Sequence, residues 1–205
     1  MARRSDHSRE ELSELVIQAA RAITAAEGWQ GVTMRAIAGR IAYAPGSIYN
    51  AVGDLDAVLL RVNAGTLDDL AERLEATLRR YGPDADITAR ALAIADGYMQ
   101  FVAKNARLWA SVLERVPAAD GPVPDWYAAP RTRLIETVSA AIAPLYPNAK
   151  ARRRAVIALW AALQGVAALA IGGNLAFAAN DIDPRDIARS IVLRYLTGRE
   201  TVAKD

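Results

Sequence analysis

The stretch that most constrains the fold runs from residue 33 to residue 59 and reads TMRAIAGRIAYAPGSIYNAVGDLDAVL. Apolar residues in its first half recur at the spacing of one helix face, at Met34, Ile37, Ala38 and Ile41. Pro45 ends this pattern and suits the first position of a second helix, whose apolar face is formed by Ile48 and Val52. Two short helices joined by a tight turn predict a helix-turn-helix, whose second helix can lie in a DNA major groove.

Capping residues indicate where the helices of the N-terminal region begin. Ser8 and Glu11 form the pattern of a capping box, which predicts the start of a first helix. Thr33 precedes the apolar spacing of the next helix, where its hydroxyl can accept an unpaired backbone N–H. Asp54 is placed to begin a long helix over about residues 54–81, which would span ~40 Å at the usual helical rise.

Three segments of the stretch, TMRAIA, PGSIYN and the AVLL run, resemble the DNA-binding region of the TetR/AcrR family of bacterial repressors. The resemblance covers roughly residues 9–60 and is weak beyond them. It implies an all-α protein of about nine helices, which agrees with the near absence of alternating β-branched residues. Residues 1–53 would form a three-helix DNA-binding domain, and residues 54–205 a helical bundle for ligand binding and dimerisation.

The same resemblance carries the family's operator contacts to particular positions of this chain. It places Thr33, Arg35, Pro45, Gly46, Ser47 and Tyr49 at or near the operator. Asn50 is added on its chemistry, because an amide can bind a base edge or the phosphate backbone. Tyr49 can reach a phosphate or lay its ring on a thymine methyl, and its alternative role is that of a half-buried packing residue.

This chain departs from the family pattern at four places. Ala42 stands where a glycine is usual, so the turn is expected to manage without easy access to positive φ. Tyr43 replaces a small aliphatic residue, and Val52 replaces a frequent phenylalanine. Leu55 replaces a frequent lysine, which removes about one phosphate contact for each subunit.

Charge placement is more informative than the formal net charge of +2. Residues 28–53 carry Arg35 and Arg40 and no carboxylate, which suits phosphate contacts, although a window this short can lack acids by chance. Arg3 and Arg4 form either a basic arm that reaches an adjacent groove or a solvated tail. His7, the single histidine, is expected to be a surface residue rather than a ligand or a general base.

The two C-terminal helices, about 149–174 and 184–198, are the predicted homodimer interface. The resemblance implies a four-helix bundle with the partner's copies, while the first of the two helices could equally be the central core helix of the body. Residues 155–173 carry no formal charge, which also meets the length rule for a membrane-spanning helix. Gln164 and the many Ala and Gly residues argue against a membrane span and for a soluble helix, so no membrane contact is predicted.

Aromatic residues of the C-terminal helical bundle predict a pocket for an apolar or amphipathic effector. The candidates are Tyr98, Met99, Trp109, Trp126, Tyr127, Trp160 and Gln164. Aromatic residues at helical spacing are also typical of a plain hydrophobic core, so this alternative stays open.

The sequence therefore predicts a ligand-responsive, DNA-binding transcriptional repressor that binds a palindromic operator as a dimer and is released by its effector. Without cysteine or an apolar N-terminal segment, the chain is expected to be cytoplasmic and to need no metal or cofactor. Two alternatives remain, a membrane protein anchored by residues 155–173 and an enzyme on a helical scaffold. For the enzyme the best candidate group is Asp68, Asp69 and Glu72, which a solvated helix face also explains.

Overall fold

The computed structural model describes residues 7–82, 85–117, 123–178 and 180–198. Arg3 and Arg4, part of the loop predicted over residues 117–124 and the tail after residue 198 lie outside these ranges. The described residues form one 3-10 turn (Trp29–Gly31) and ten α-helices, without a β-strand among them, which confirms the all-α class. The helices are α1 (Arg9–Glu27), α2 (Met34–Ile41), α3 (Pro45–Val52), α4 (Leu55–Tyr81), α5 (Ile87–Lys104), α6 (Ala106–Glu114), α7 (Asp125–Ile142), α8 (Ala149–Ile171), α9 (Asn174–Ala178) and α10 (Pro184–Thr197).

The predicted capping residues occupy the helix starts. Both halves of the capping box at Ser8 and Glu11 are present, and the Ser8 N–H lowers the pKa of the Glu11 carboxyl by donating to it. Thr33 Oγ1 accepts the Ala36 N–H at 3.0 Å, and Asp54 Oδ1 accepts the Ala57 N–H at 2.8 Å. Asp183 caps α10 in the same way, with Pro184 at its first position. These local rules therefore predict the helix starts well.

The chain divides into two compact units. Unit 1 comprises residues 1–66 and 105–127, and unit 2 comprises residues 67–104 and 128–205. The division into residues 1–53 and 54–205 remains a prediction about function, and the compact units do not coincide with it. The reason is that Val58, Leu59 and Val62 of α4 are buried in the same core as α1 to α3.

One hydrophobic core holds unit 1 together. Its members come from α1 to α3, the start of α4 and Leu108 of α6. Val16, Ile37, Ile48 and Val58 are fully buried there, which fixes the α2–α3 pair on α1. Leu55, which replaces the family's lysine, also packs against this core, and its partial burial explains why an apolar residue suits that position.

Polar contacts attach α6 to the rest of unit 1. Arg107 donates to the carbonyl of Ala26 near the end of α1, and the Trp29 indole N–H donates to Glu114 Oε2 at 2.9 Å. The Arg115 guanidinium lies 5.0 Å from the centre of the Trp29 ring and pairs with Asp56. Sequence periodicity does not report such contacts, which is why the sequence alone places α6 in the C-terminal domain.

In unit 2, α5, α8 and α10 pack on one another, and α9 packs on α8. Arg133 of α7 makes a two-pronged contact with the Glu75 carboxylate of α4, with both N–O distances at 2.7 Å. The Arg133 guanidinium therefore lowers the pKa of Glu75. The five-residue helix α9 is absent from the sequence prediction, because it is too short to show a helical period.

Ala42 adopts the left-handed conformation that the sequence was expected to avoid. Its φ is 57°, and it is the one residue other than glycine with a positive φ in the described ranges. An L-residue with a side chain is strained in this region, whereas glycine is not. We therefore expect Ala42→Gly to raise the free energy of unfolding by about 0.5–1 kcal/mol. Glycine relieves the cost of the αL conformation, and its greater conformational freedom in the unfolded chain offsets part of that gain.

Urea unfolding of wild type and Ala42→Gly measures this difference. Gly39→Ala, one turn earlier on the exposed side of α2, is the matched control, because an added Cβ meets no atom within 4 Å there. It should also stabilise, by up to about 1 kcal/mol, since alanine has the higher helix propensity. A loss of stability in Ala42→Gly would contradict the strain assigned to Ala42.

Candidate nucleic-acid interface

The α2–α3 pair presents a polar face built around a buried apolar side. Ile48 and Val52 of α3 are buried, at 0% and 4% exposure, which turns the opposite side of the helix outward. That outward side carries Pro45, Gly46, Tyr49 and Asn50, all exposed, with Ser47 half-buried at its edge. The structure thus brings together on one surface the residues of α3 that the sequence predicts as DNA contacts.

Two features of this face suit a close approach of nucleic acid. A Cβ added at Gly46 would meet no atom within 4 Å, so the start of α3 is open on its outer side. Tyr49 is 53% exposed, so its ring and hydroxyl are available to a partner outside the chain. A tyrosine packed into the protein would not be this exposed, and the geometry favours the contact role.

The α2 residues lie beside this face. Thr33 is exposed and uses its hydroxyl oxygen as the acceptor that caps α2, which leaves the hydroxyl proton for a phosphate. Arg35 and Arg40 are exposed, and no carboxylate occurs between residues 28 and 53. Ala44, at the N-cap of α3, has no side-chain acceptor for the first N–H groups of that helix. The surface is therefore electropositive without being strongly basic.

A shallow groove of about 280 Å³ lies where the start of α1 meets α3. Its lining consists of His7, Ser8, Arg9, Leu12, Ser47, Asn50 and Ala51. Beside it His7 Nδ1 lies 2.5 Å from the Tyr43 hydroxyl. His7 is exposed, as the sequence predicts, but this contact with the α2–α3 turn was missed. The replacement of a small aliphatic residue by Tyr43 was the signal that could have indicated it.

The residues predicted to line an effector pocket are divided between the two units. In unit 2, Tyr98 and Met99 are buried, and the Tyr98 hydroxyl donates to Gln164 Oε1 at 2.7 Å. Trp160, in the same unit, is 47% exposed. The pocket therefore stays a prediction, which rests better on Tyr98, Met99 and Gln164 than on Trp160.

The remaining three predicted pocket residues belong to unit 1. Trp109 and Tyr127 are buried, each at 2% exposure. Trp126 is 40% exposed, and the Arg61 guanidinium lies 5.0 Å from the centre of its ring. Trp126 is therefore a surface aromatic residue, and an enclosed apolar site gains little from it.

The outer side of α8 is a second surface with unusual composition. Ile157, Trp160 and Leu169 are exposed at 39%, 47% and 48%, and the small residues Ala161, Gly165 and Ala168 lie exposed among them. By length and composition α8 could also cross a membrane, with a mean hydropathy of 1.8 over its most apolar window, one third of which is buried. An apolar face of this kind indicates an interaction surface.

Comparison with known proteins identifies the family. Residues 91–195 match the family model described as the tetracyclin repressor-like C-terminal domain. An uncharacterised HTH-type transcriptional regulator of Mycobacterium tuberculosis is 25% identical over 187 residues, which cover 91% of this chain and 81% of that protein.

Solved structures with the same fold include two close geometric matches. A protein of unknown function from Rhodococcus sp. RHA1 superposes with a TM-score of 0.74 at 16% identity, over 96% of this chain and 98% of that one. The regulator FadR from Bacillus subtilis, in complex with stearoyl-CoA, gives a TM-score of 0.67 at 12% identity, over 90% and 98%.

The TetR-family regulator PfmR from Thermus thermophilus gives a TM-score of 0.61 at 15% identity, over 90% of this chain and 98% of that one. The family model spans just over half of this chain, and its match agrees with the helix-turn-helix at residues 33–52. The protein belongs to the TetR family and is a DNA-binding transcriptional regulator rather than an enzyme.

Proposed function

We propose that this protein is a cytoplasmic repressor that binds a palindromic operator as a homodimer. The observation that carries the proposal is the carboxylate-free outer face of α2 and α3. Thr33, Arg35, Pro45, Gly46, Ser47, Tyr49 and Asn50 would make its DNA contacts. A single α3 covers only a few base pairs, so useful affinity and specificity call for two copies on a two-fold-related site.

Dimerisation is assigned to α8 and α10. These helices pack on each other within one chain, and α8 adds the exposed apolar side chains Ile157, Trp160 and Leu169. Leu193 of α10 is exposed at 38%. Small residues on the outer side of α8 would let the partner's helix approach closely. A second copy would also remove the apolar face of α8 from water, which is favourable in free energy.

The apolar face of α8 also supports a second candidate, attachment to a membrane. Its length and mean hydropathy permit this. Cell fractionation separates the two candidates, because a membrane-anchored protein stays in the pellet after a high-salt wash. We expect the protein in the soluble fraction.

The effector is proposed to be apolar or amphipathic and to bind in unit 2. Tyr98, which is buried, and Gln164, which is partly buried, are hydrogen-bonded to each other and would be its polar contacts. FadR from Bacillus subtilis, which shares this fold, is known with stearoyl-CoA, so acyl thioesters are the first compounds to test. The expected result is release of bound DNA by one chain-length class, and no release by any acyl compound would exclude this class of effector.

DNA binding itself is tested on the region upstream of the protein's own gene. The purified protein should protect a defined segment there in the presence of excess competitor DNA. Absence of any protected segment, there and in fragments covering the genome, would contradict the proposal.

A further inference from the structure

The contact between His7 and Tyr43 joins the start of α1 to the α2–α3 turn. Nδ1 and the phenol oxygen are 2.5 Å apart, and the two ring centres are separated by 5.9 Å with the planes tilted by 54°. Tyr43 packs partly buried against the core of unit 1, whereas His7 is exposed. Among the described residues Tyr43 is the one hydrogen-bond partner of His7, and it engages Nδ1 rather than Nε2.

The groove beside this contact places His7 near the proposed DNA surface. Its α3 wall includes Ser47 and Asn50, both of which belong to the predicted operator contacts. Its other wall includes Ser8 and Arg9 from the start of α1. A duplex that receives α3 in its major groove has a phosphate strand along each edge of that groove. One of these strands would pass over the His7 side of α3.

We propose that His7, held in position by Tyr43, binds a phosphate of the operator backbone in this groove and makes operator binding tighter at lower pH. The proposal rests on the function proposed above, and it assigns a role to the one histidine of the chain. It also gives a reason for a tyrosine at position 43.

The chemistry follows from the two nitrogens of the ring. When the Tyr43 hydroxyl donates to Nδ1, the neutral imidazole carries its proton on Nε2 and can donate to a phosphate oxygen. When the ring is protonated, Nδ1–H donates to the Tyr43 oxygen and Nε2–H donates with a full positive charge. The second form makes the stronger, charge-assisted bond. Because phosphate binding favours the protonated form, operator affinity should rise as pH falls.

The groups around His7 carry charges of both signs: Arg9 favours an anion in the groove, and the Glu11 carboxylate, which interacts electrostatically with His7, opposes it. Arg9 lines the groove, and α3 carries no charged side chain. The Glu11 carboxylate accepts the Ser8 N–H at 2.6 Å, which satisfies part of its charge within the capping box. Glu10 also lies in the first turn of α1, and the exposed cations of α2 are Arg35 and Arg40. These arginines keep their charge at all relevant pH values, so they add affinity without adding pH dependence.

The test uses the full-length protein and a duplex that it selects from a random-sequence library. We expect the wild-type dissociation constant to fall by roughly threefold to fivefold for each bound subunit between about pH 8 and about pH 6 at constant ionic strength, the range of an exposed ion pair. His7→Gln should lose this dependence, so that its dissociation constant is the same at both pH values. Tyr43→Phe keeps the ring in the core but removes the hydroxyl, so its pH response should be smaller.

A direct readout comes from the imidazole itself. His7 is the only histidine of the chain, so in protein labelled with ¹⁵N-histidine the two imidazole nitrogen signals belong to His7. Adding the selected duplex near neutral pH should increase the protonated fraction and shift the Nε2 signal. An Nε2 signal and an affinity that do not respond to duplex and pH would overturn the proposal, while the repressor assignment would stand. Failure to select any duplex would instead contradict the proposed function.

Discussion

Gly165→Glu is expected to convert the protein to a monomer and to weaken operator binding by about a hundredfold or more. Gly165 lies on the outer side of α8, where an added Cβ meets no atom within 4 Å in the same chain. The chain should therefore fold around the new side chain, whereas a partner helix packed on this face could not accommodate two glutamates. The loss of affinity follows because linking two binding modules typically contributes about 10²–10⁴-fold in avidity.

Analytical ultracentrifugation together with operator titration measures both parts of this result. Ala140→Glu on α7 is the matched control, since it adds the same charge at another exposed position of unit 2 and should leave dimer and affinity unchanged. Gly165→Ala adds one methyl group without a charge and should remain dimeric. If Gly165→Glu dimerises over the same protein concentration range as the wild type, the dimer interface lies elsewhere.

Tyr49→Ala should weaken operator binding by about tenfold or more for each half-site, the cost of losing ~1–3 kcal/mol in a base or phosphate contact. Tyr49 is 53% exposed and lies outside the buried side of α3, so its truncation should leave folding and dimerisation intact. Surface substitutions of this kind usually change the free energy of unfolding by less than about 0.5 kcal/mol. The large effect is therefore expected on operator affinity and not on the free energy of unfolding.

Two further substitutions separate the causes. Tyr49→Phe removes only the hydroxyl, so a phosphate contact predicts a loss close to that of Tyr49→Ala, and a thymine-methyl contact predicts almost none. Tyr81→Ala is the control for a second exposed tyrosine, at the end of α4 and 44% exposed, and should bind DNA normally. Unchanged operator affinity in Tyr49→Ala would mean that α3 does not lie in the groove as proposed.

Much of the fold can be predicted from local chemistry. Thr33, Asp54 and Asp183 cap helices where their hydroxyl and carboxylate oxygens lie next to apolar helical spacing. Such signals depend on residues three or four positions apart and are therefore visible in any single sequence. The buried side of α3, set by Ile48 and Val52, follows from the same short-range pattern.

What could not be predicted depends on contacts between distant parts of the chain. His7 and Tyr43 are 36 residues apart, and Trp29 and Glu114 are 85 apart, so no local pattern links them. The assignment of α6 to unit 1 and the exposure of Trp160 could not be predicted for the same reason. An aromatic residue on an apolar helix face has the same sequence signature whether its own chain or a partner covers it.

Ala42 illustrates a different limit. The sequence indicates that the turn lacks its usual glycine, but not whether the backbone avoids positive φ or accepts the strain. The structure accepts it, because the buried residues on both sides, Ile37 and Ile48, fix the geometry of the turn. Tertiary packing here overrides the preference of a single residue.

Two copies of α3 are proposed to bind a two-fold-related DNA site, and this claim is central to the function. Selection of bound duplexes from a random-sequence library by the full-length protein tests it most directly. We expect enrichment of an inverted repeat whose half-site centres lie about one helical turn apart, ~10 base pairs, or a multiple of that spacing. Enrichment of a single unrepeated motif, or of no motif at all, would contradict it.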